Sequence, residues 1–118
     1  MDKDRRRVYE VQAEVLRAVA HPVRLAILDL IADRELCVCD IVEQVGGERS
    51  NVSRHLAELH RAGIVRCRKE GLFRFYALQT PCIMACVSCV TGVVEEKANS
   101  AEAARAALAG KARRAARR

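Results

Sequence analysis

The sequence predicts a small, mostly α-helical domain carrying a β-hairpin, and three observations lead to it. Apolar residues recur every three to four positions through most of the chain before Gly63, the spacing of amphipathic helices. Past Gly63 the pattern changes to two short runs rich in β-formers. Aromatic residues make up only 3% of the chain and Trp is absent. The core is therefore built from Val, Leu, Ile and Ala, which suits helix packing better than an aromatic-rich β-sandwich. A chain of 118 residues has room for one hydrophobic core, and 51% apolar with 31% charged residues is a globular rather than a disordered or fibrous composition.

The elements follow in order. Val8, Val11, Val15 and Val19 place a first helix that runs to about Ala20, where His21-Pro22 stops it. Pro22 suits the first position of a second helix, whose Val23, Ile27, Leu30 and Ile31 share a face and which ends near Asp33. In LCVCDIVEQVGG, Ile41, Val42 and Val45 give a short third helix closed by Gly46-Gly47. Val52, Leu56 and Leu59 step by four and three in a fourth helix that Gly63 stops. IVRCRK and LFRFYAL then form a hairpin with Lys69-Glu70-Gly71 at its tip. Thr80 can cap a fifth helix with Pro81 at its first position. From Cys82 to Val94 that helix is apolar nearly all round, broken only by Ser88, Thr91 and Gly92. Such a helix must be covered on every side, so a homodimer whose interface contains it is expected. Residues 98–118 are Ala- and Arg-rich, low in complexity, and expected to be frayed or helical only when bound. The expected division is thus a folded part, 1–97, and a basic tail, 98–118.

The net charge of +6 is concentrated. Residues 49–76 carry seven Lys or Arg against two Asp or Glu, and residues 98–118 carry six against one. Two basic blocks on a near-neutral body are a footprint for polyanions, nucleic acid above all. Residues 37–63 read as helix, Gly turn, helix, and a hairpin follows, which is a winged helix-turn-helix. In that arrangement the second helix enters the major groove of double-stranded DNA by its N-terminal residues. Here these are Arg49, Ser50, Asn51, Ser53, Arg54 and His55, side chains suited to base edges and phosphates. Arg66, Arg68, Lys69 and Arg74 stand where a wing would flank the groove. A solvated helix face would look similar in isolation; the basic block and the wing favour DNA.

The segments LRAVAHPVRLAILDLI, ELCVCDI, NVSRHLAELHRAGIV and RKEGLFRFYAL resemble the ArsR/SmtB family of metal-responsive repressors over roughly residues 12–80. The resemblance implies a winged-helix homodimer joined through its first and last helices, which represses its own operon and leaves a palindromic operator when an inducer binds. Leu36-Cys37-Val38-Cys39-Asp40 resembles the metal-site motif of arsenic- and cadmium-responsive members. The chain departs from both patterns. Val42 stands where the arsenite-type motif has a third cysteine, and residues 1–36 contain none of the cysteines that cadmium-type members bring from an N-terminal extension.

The cysteines also speak for themselves. Six thiols in a chain without a secretory-type start (MDKDRRRVYE) or an apolar run of membrane length suggest a reducing, cytoplasmic setting with no membrane partner, where thiols serve metal or redox chemistry. Cys37 and Cys39 fall at a helix N-terminus, whose dipole and free N–H groups favour the thiolate. Cys82, Cys86 and Cys89, four and three apart, lie on one helix face. They either pack an interface as small hydrophobes or supply ligands, Cys82 first because it too sits at a helix N-terminus. The spacing resembles that of an iron–sulfur motif, but a continuous helix offers no cluster loop. Cys67, on the first hairpin strand, reads as structural.

No permanent cofactor is expected. Thiolate-only ligation selects soft inducers: As(III) or Sb(III) first, Cd(II) or Pb(II) as alternatives. A thiol redox or persulfide sensor of the same fold is the nearest rival, and a metal-buffering or protein-interaction module a more distant one. No nucleophile with a partner base, phosphate loop or carboxylate pair points to an enzyme.

Overall fold

The structure, a computed structural model, describes residues 1–116. It contains α1 (Lys3–Val19), α2 (Pro22–Leu30), β1 (Leu36–Cys37), α3 (Val38–Val45), α4 (Arg49–Arg61), β2 (Val65–Glu70), β3 (Phe73–Leu78) and α5 (Ile83–Ala116). Two compact units divide at Met84 and Ala85.

Local chemistry sets the first unit's boundaries. The Asp2 carboxylate accepts from the Arg5 N–H at 2.7 Å and caps α1. His21 caps α2 through Nδ1, which accepts from the Val23 N–H at 3.1 Å, and Pro22 follows at the first position. Pro lacks the N–H that would be orphaned there. Gly46 ends α3 at φ 84° and Gly63 follows α4 at φ 80°, both in the left-handed region that a side chain resists. The core lies among α2, α3, α4 and the sheet, with Ile27, Leu28, Ile31, Ile41, Val52, Leu56, Leu59 and Ile64 almost wholly buried. Burying Val52, Leu56 and Leu59 fixes the rotation of α4 and so decides which residues face outward.

The hairpin is as expected but its tip is displaced. Lys69 pairs with Arg74 and Glu70 with Phe73, so the two-residue turn is Gly71-Leu72. Gly71 at φ 60° is the reason, because a Gly-X turn of this kind matches the twist of the strands. A third strand was not expected. β1 pairs antiparallel with β3 (Leu36 with Tyr76, Cys37 with Phe75), giving the order β1-β3-β2. Two residues carry no readable period. Helix α2 stops at Leu30 rather than near Asp33, its Ile31 N–H still bonded to the Ile27 carbonyl at 3.1 Å.

The fifth helix also starts later than expected. Thr80 and Pro81 form a turn, their carbonyls accepting from the Ile83 and Met84 N–H groups at 3.1 Å each. In the second unit α5 continues to Ala116, so the stretch expected to be frayed is helical there; Arg117 and Arg118 of the expected tail lie outside the described residues. Val90, Val93, Val94 and Leu108 on α5 are exposed, as are Val8, Tyr9, Val11 and Leu16 on α1. Among the described residues no helix is long and apolar enough to cross a membrane.

Candidate nucleic-acid interface and cysteine sites

With its apolar stripe buried, α4 presents its N-terminal turn outward. Arg49, Ser50 and Arg54 are exposed, and Asn51 and Ser53 half-buried. An Arg54 guanidinium N–H donates to Asn51 Oδ1 at 2.6 Å, holding two of the expected base-reading groups together. Glu48, Ser50, Asn51 and Arg54 line a shallow cleft of about 360 Å³.

His55 is a correction. It was expected among the groove-facing residues, but it is only 7% exposed. It lies three residues after Val52 and four before Leu59, on the buried stripe, and that spacing was the available signal. Arg24 Nε donates to His55 Nδ1 at 3.1 Å while a second Arg24 N–H donates to the Ala18 carbonyl at 3.0 Å. The His21 ring lies over it, centroids 4.3 Å apart. Burial holds the His55 pKa below the ordinary imidazole value, and the charges of His21, Arg24 and Arg54 push the same way. The ring is therefore neutral, with its proton on Nε2. Such a group stabilises the fold fully above its unfolded pKa of about 6.5 and loses that contribution as pH falls through the folded value. The melting temperature should accordingly drop between about pH 7 and pH 5, and His55→Gln, whose amide oxygen can still accept from Arg24, should drop less. Thermal scans across buffers check this, and equal slopes for the two proteins would contradict it.

The wing residues fall into two groups. Arg68 is committed: it bonds Glu35 at 2.7 Å and Glu70 at 2.6 Å and lies over the Phe75 ring at 4.6 Å. The Glu35 hydrogen bonds, then that to Glu70, raise the Arg68 pKa, and the bond to Arg68 lowers that of Glu35. Arg66 donates to the Leu78 carbonyl at 3.1 Å. Both were expected to flank the groove, and instead they brace the sheet. Lys69 and Arg74 are exposed and, among the described residues, make no ion pair.

Cys37 is the N-cap of α3 and half-buried, and Cys39 is exposed one residue inside the helix. The thiol of Cys37 donates to Asp40 Oδ2 at 3.3 Å. The Asp40 backbone N–H acts to lower the Cys37 pKa, as the helix-end argument expects. Burial, the Asp40 carboxylate and the neighbouring Cys39 thiol together outweigh it, so the thiol lies above its ordinary value. This reverses the expected activation, with burial the first opponent and the carboxylate three residues downstream the next. Cys37 and Cys39 stand two residues apart across the N-terminus of α3. Cys67 packs against the core. Cys82 immediately precedes α5 and is exposed, and Cys86 and Cys89 within α5 are exposed as well. Among the described residues no three His, Cys, Asp or Glu side chains converge as a metal site.

A helix-turn-helix with an outward basic turn, followed by a three-stranded sheet with cations on its hairpin, defines a winged helix-turn-helix DNA-binding protein. The profile of the bacterial regulatory protein arsR family matches residues 21–66. An uncharacterized HTH-type transcriptional regulator of Methanocaldococcus jannaschii is 44% identical over 58% of this chain and 78% of its own length. The arsenical resistance operon repressor of Staphylococcus xylosus is 34% identical over 59% of this chain and 67% of that protein. Among solved structures, the homodimeric winged helix-turn-helix DNA-binding domain of Mb0332 from Mycobacterium bovis superposes with a TM-score of 0.71 at 28% identity, covering 82% of this chain and 90% of that one. The chain belongs to the ArsR family, whose members are DNA-binding transcriptional regulators and not enzymes.

Proposed function

We propose that the protein is a homodimeric repressor that reads a palindromic operator with one α4 per half-site and is released by a thiophilic inducer, As(III) or Sb(III) first, Cd(II) or Pb(II) second. The observation that carries this reading is the placing of two thiols, Cys37 at the N-cap and Cys39 exposed just inside, at the start of α3, the helix packed against α4 and joined to it through Gly46-Gly47. Arg49, Ser50, Asn51, Ser53 and Arg54 would read the major groove, with Lys69 and Arg74 on the flanking phosphates. The homodimeric relative and the exposed apolar residues of α1 and α5 support the twofold assembly. The arsenical resistance operon repressor among the relatives supports the inducer class.

Trivalent arsenic takes three sulfurs, and α3 offers two. The third would come from the fifth-helix stripe of the same or the partner protomer, Cys82 first and Cys86 or Cys89 after it; a sulfur from the partner would tie inducer binding directly to dimer geometry. The inducer can shift the equilibrium only by its preference for one geometry; a coupling of a few kcal/mol corresponds to release on the order of a hundredfold. Titrating the reduced protein with As(III), Sb(III), Cd(II) and Pb(II), while counting thiols and following operator release, tests the reading. Release by oxidant alone, reversed by dithiothreitol, would favour the redox sensor instead.

The basic end of α5 adds non-specific phosphate attraction. Deleting residues 98–118 is expected to weaken binding to all duplexes alike and to flatten its salt dependence. An unchanged slope would place this segment off the DNA.

A further inference from the structure

We propose that the wing tip, Leu72 and Phe73, is an apolar wedge that enters the minor groove and partly unstacks a base step while Lys69 and Arg74 hold the phosphates on either side. The proposal rests on the DNA-binding reading above and adds to it an interaction of different chemistry. Gly71 at φ 60° makes a two-residue Gly-X turn, and the second position of such turns is ordinarily filled by Asn, Asp or Ser. Leu72 occupies it and is 97% exposed, with Phe73 beside it 55% exposed. Nothing in the backbone requires an apolar side chain there, and two large ones stand side by side at the end of the hairpin.

The charges around the tip identify the partner. Lys69 and Arg74 stand directly across the hairpin from each other, and like charges in register weaken a hairpin. The cation one position further from the tip, Arg68, is neutralised by Glu35 and Glu70. Near the tip, Lys69 and Arg74 are thus the cations without a carboxylate partner among the described residues, and Glu70, across from Phe73, is held by Arg68. Arg66, further down β2, also makes no ion pair among them and donates to the Leu78 carbonyl. Positive, apolar, positive is the complement of the minor groove, where phosphate rims enclose a floor of sugars and base edges, and Leu and Phe are side chains that wedge between base steps. Lys69 and Arg74 also share with His60 and Arg61 of α4 an open cleft of about 600 Å³, so the wing cations and the groove-reading helix border one surface. An anionic membrane would match the tip but gives no role to the cleft that Lys69 and Arg74 share with α4. β1 pairs with β3 only at Phe75 and Tyr76, which leaves Leu72 projecting roughly 10 Å beyond the three-stranded part of the sheet.

The test compares the full chain with a Leu72→Ser, Phe73→Thr double variant and with a Lys69→Ala, Arg74→Ala double variant. All are measured on a fluorescent duplex from upstream of the protein's own coding sequence at several salt concentrations. Ser suits the Gly-X turn and Thr suits a strand, so the melting temperature should be unchanged; a clear fall would assign the tip to the fold and overturn the proposal. The apolar variant is expected to bind about tenfold more weakly with the same log–log salt slope, because it leaves every phosphate interaction in place. The cation variant should lower the slope by about one for each phosphate that it no longer neutralises. A 2-aminopurine placed at a pyrimidine–purine step under the wing should brighten with the native chain and not with the apolar variant. Native-like affinity or brightening in the apolar variant overturns the wedge while leaving DNA binding intact, and so does tip-dependent binding to phosphatidylserine vesicles without any effect on DNA. A native chain that binds no duplex removes the DNA reading and the wedge together.

Discussion

Changing Cys37 and Cys39 together to Ser is expected to leave operator affinity within about twofold of native and to abolish release by arsenite, a loss of roughly a hundredfold in response. The separation is possible because neither sulfur holds up the fold. The Cys37 side chain, at the N-cap of α3, bonds the helix only through its thiol to the Asp40 carboxylate, a bond a Ser hydroxyl can also make, and Ser is the better N-cap residue, so the substitution should not loosen α3. Cys39 is exposed. The groove-facing residues of α4 stay where Val52, Leu56 and Leu59 hold them. What disappears is the only sulfur pair that the sequence places on α3. Full arsenite response in the double variant, followed as operator release by fluorescence anisotropy, would sink the α3 assignment. Single changes at Cys82, Cys86 and Cys89 should then grade the response according to which one supplies the third sulfur.

Leu56→Ala is expected to have the largest effect on stability. Leu56 is wholly buried in the middle of α4, and truncating such a residue costs about 2–5 kcal/mol. Small domains are stable by only about 5–15 kcal/mol, so the melting temperature should fall on the order of 10–30 °C. On the opposite face of the same helix, Arg54→Ala should change stability by no more than about 0.5 kcal/mol and act on DNA affinity instead. Denaturant titration of both variants checks the contrast. A small loss for Leu56→Ala would mean that α4 is not anchored through this stripe.

The helical part was legible because amphipathic helices announce themselves: Val52, Leu56 and Leu59 point one way because 3.6 residues make a turn, and Pro22, Gly46 and Gly63 stop chains for local reasons. The hairpin was legible from its β-formers, though its turn sits one residue later because Glu70 and Phe73 still pair. β1 was not legible. Its two residues become a strand only because β3 is there to accept them, and no local pattern records a partner 38 to 40 positions away.

The candidate site divides the same way. The sequence alone determined the helix-turn-helix, the basic character of α4 and the wing, and the sulfurs at the mouth of α3, since each follows from neighbours within a turn or two. Tertiary structure decided which cations are free, drawing Arg68 onto Glu35 from 33 residues away and leaving Lys69 and Arg74 unpaired among the described residues. It buried His55 against Arg24 and His21, and at Cys37 it added burial to the local Asp40 carboxylate against the helix dipole. The physical reason is range: periodicity and capping act over a few residues, whereas the charge state and availability of a side chain depend on whatever the fold brings within a few ångströms of it.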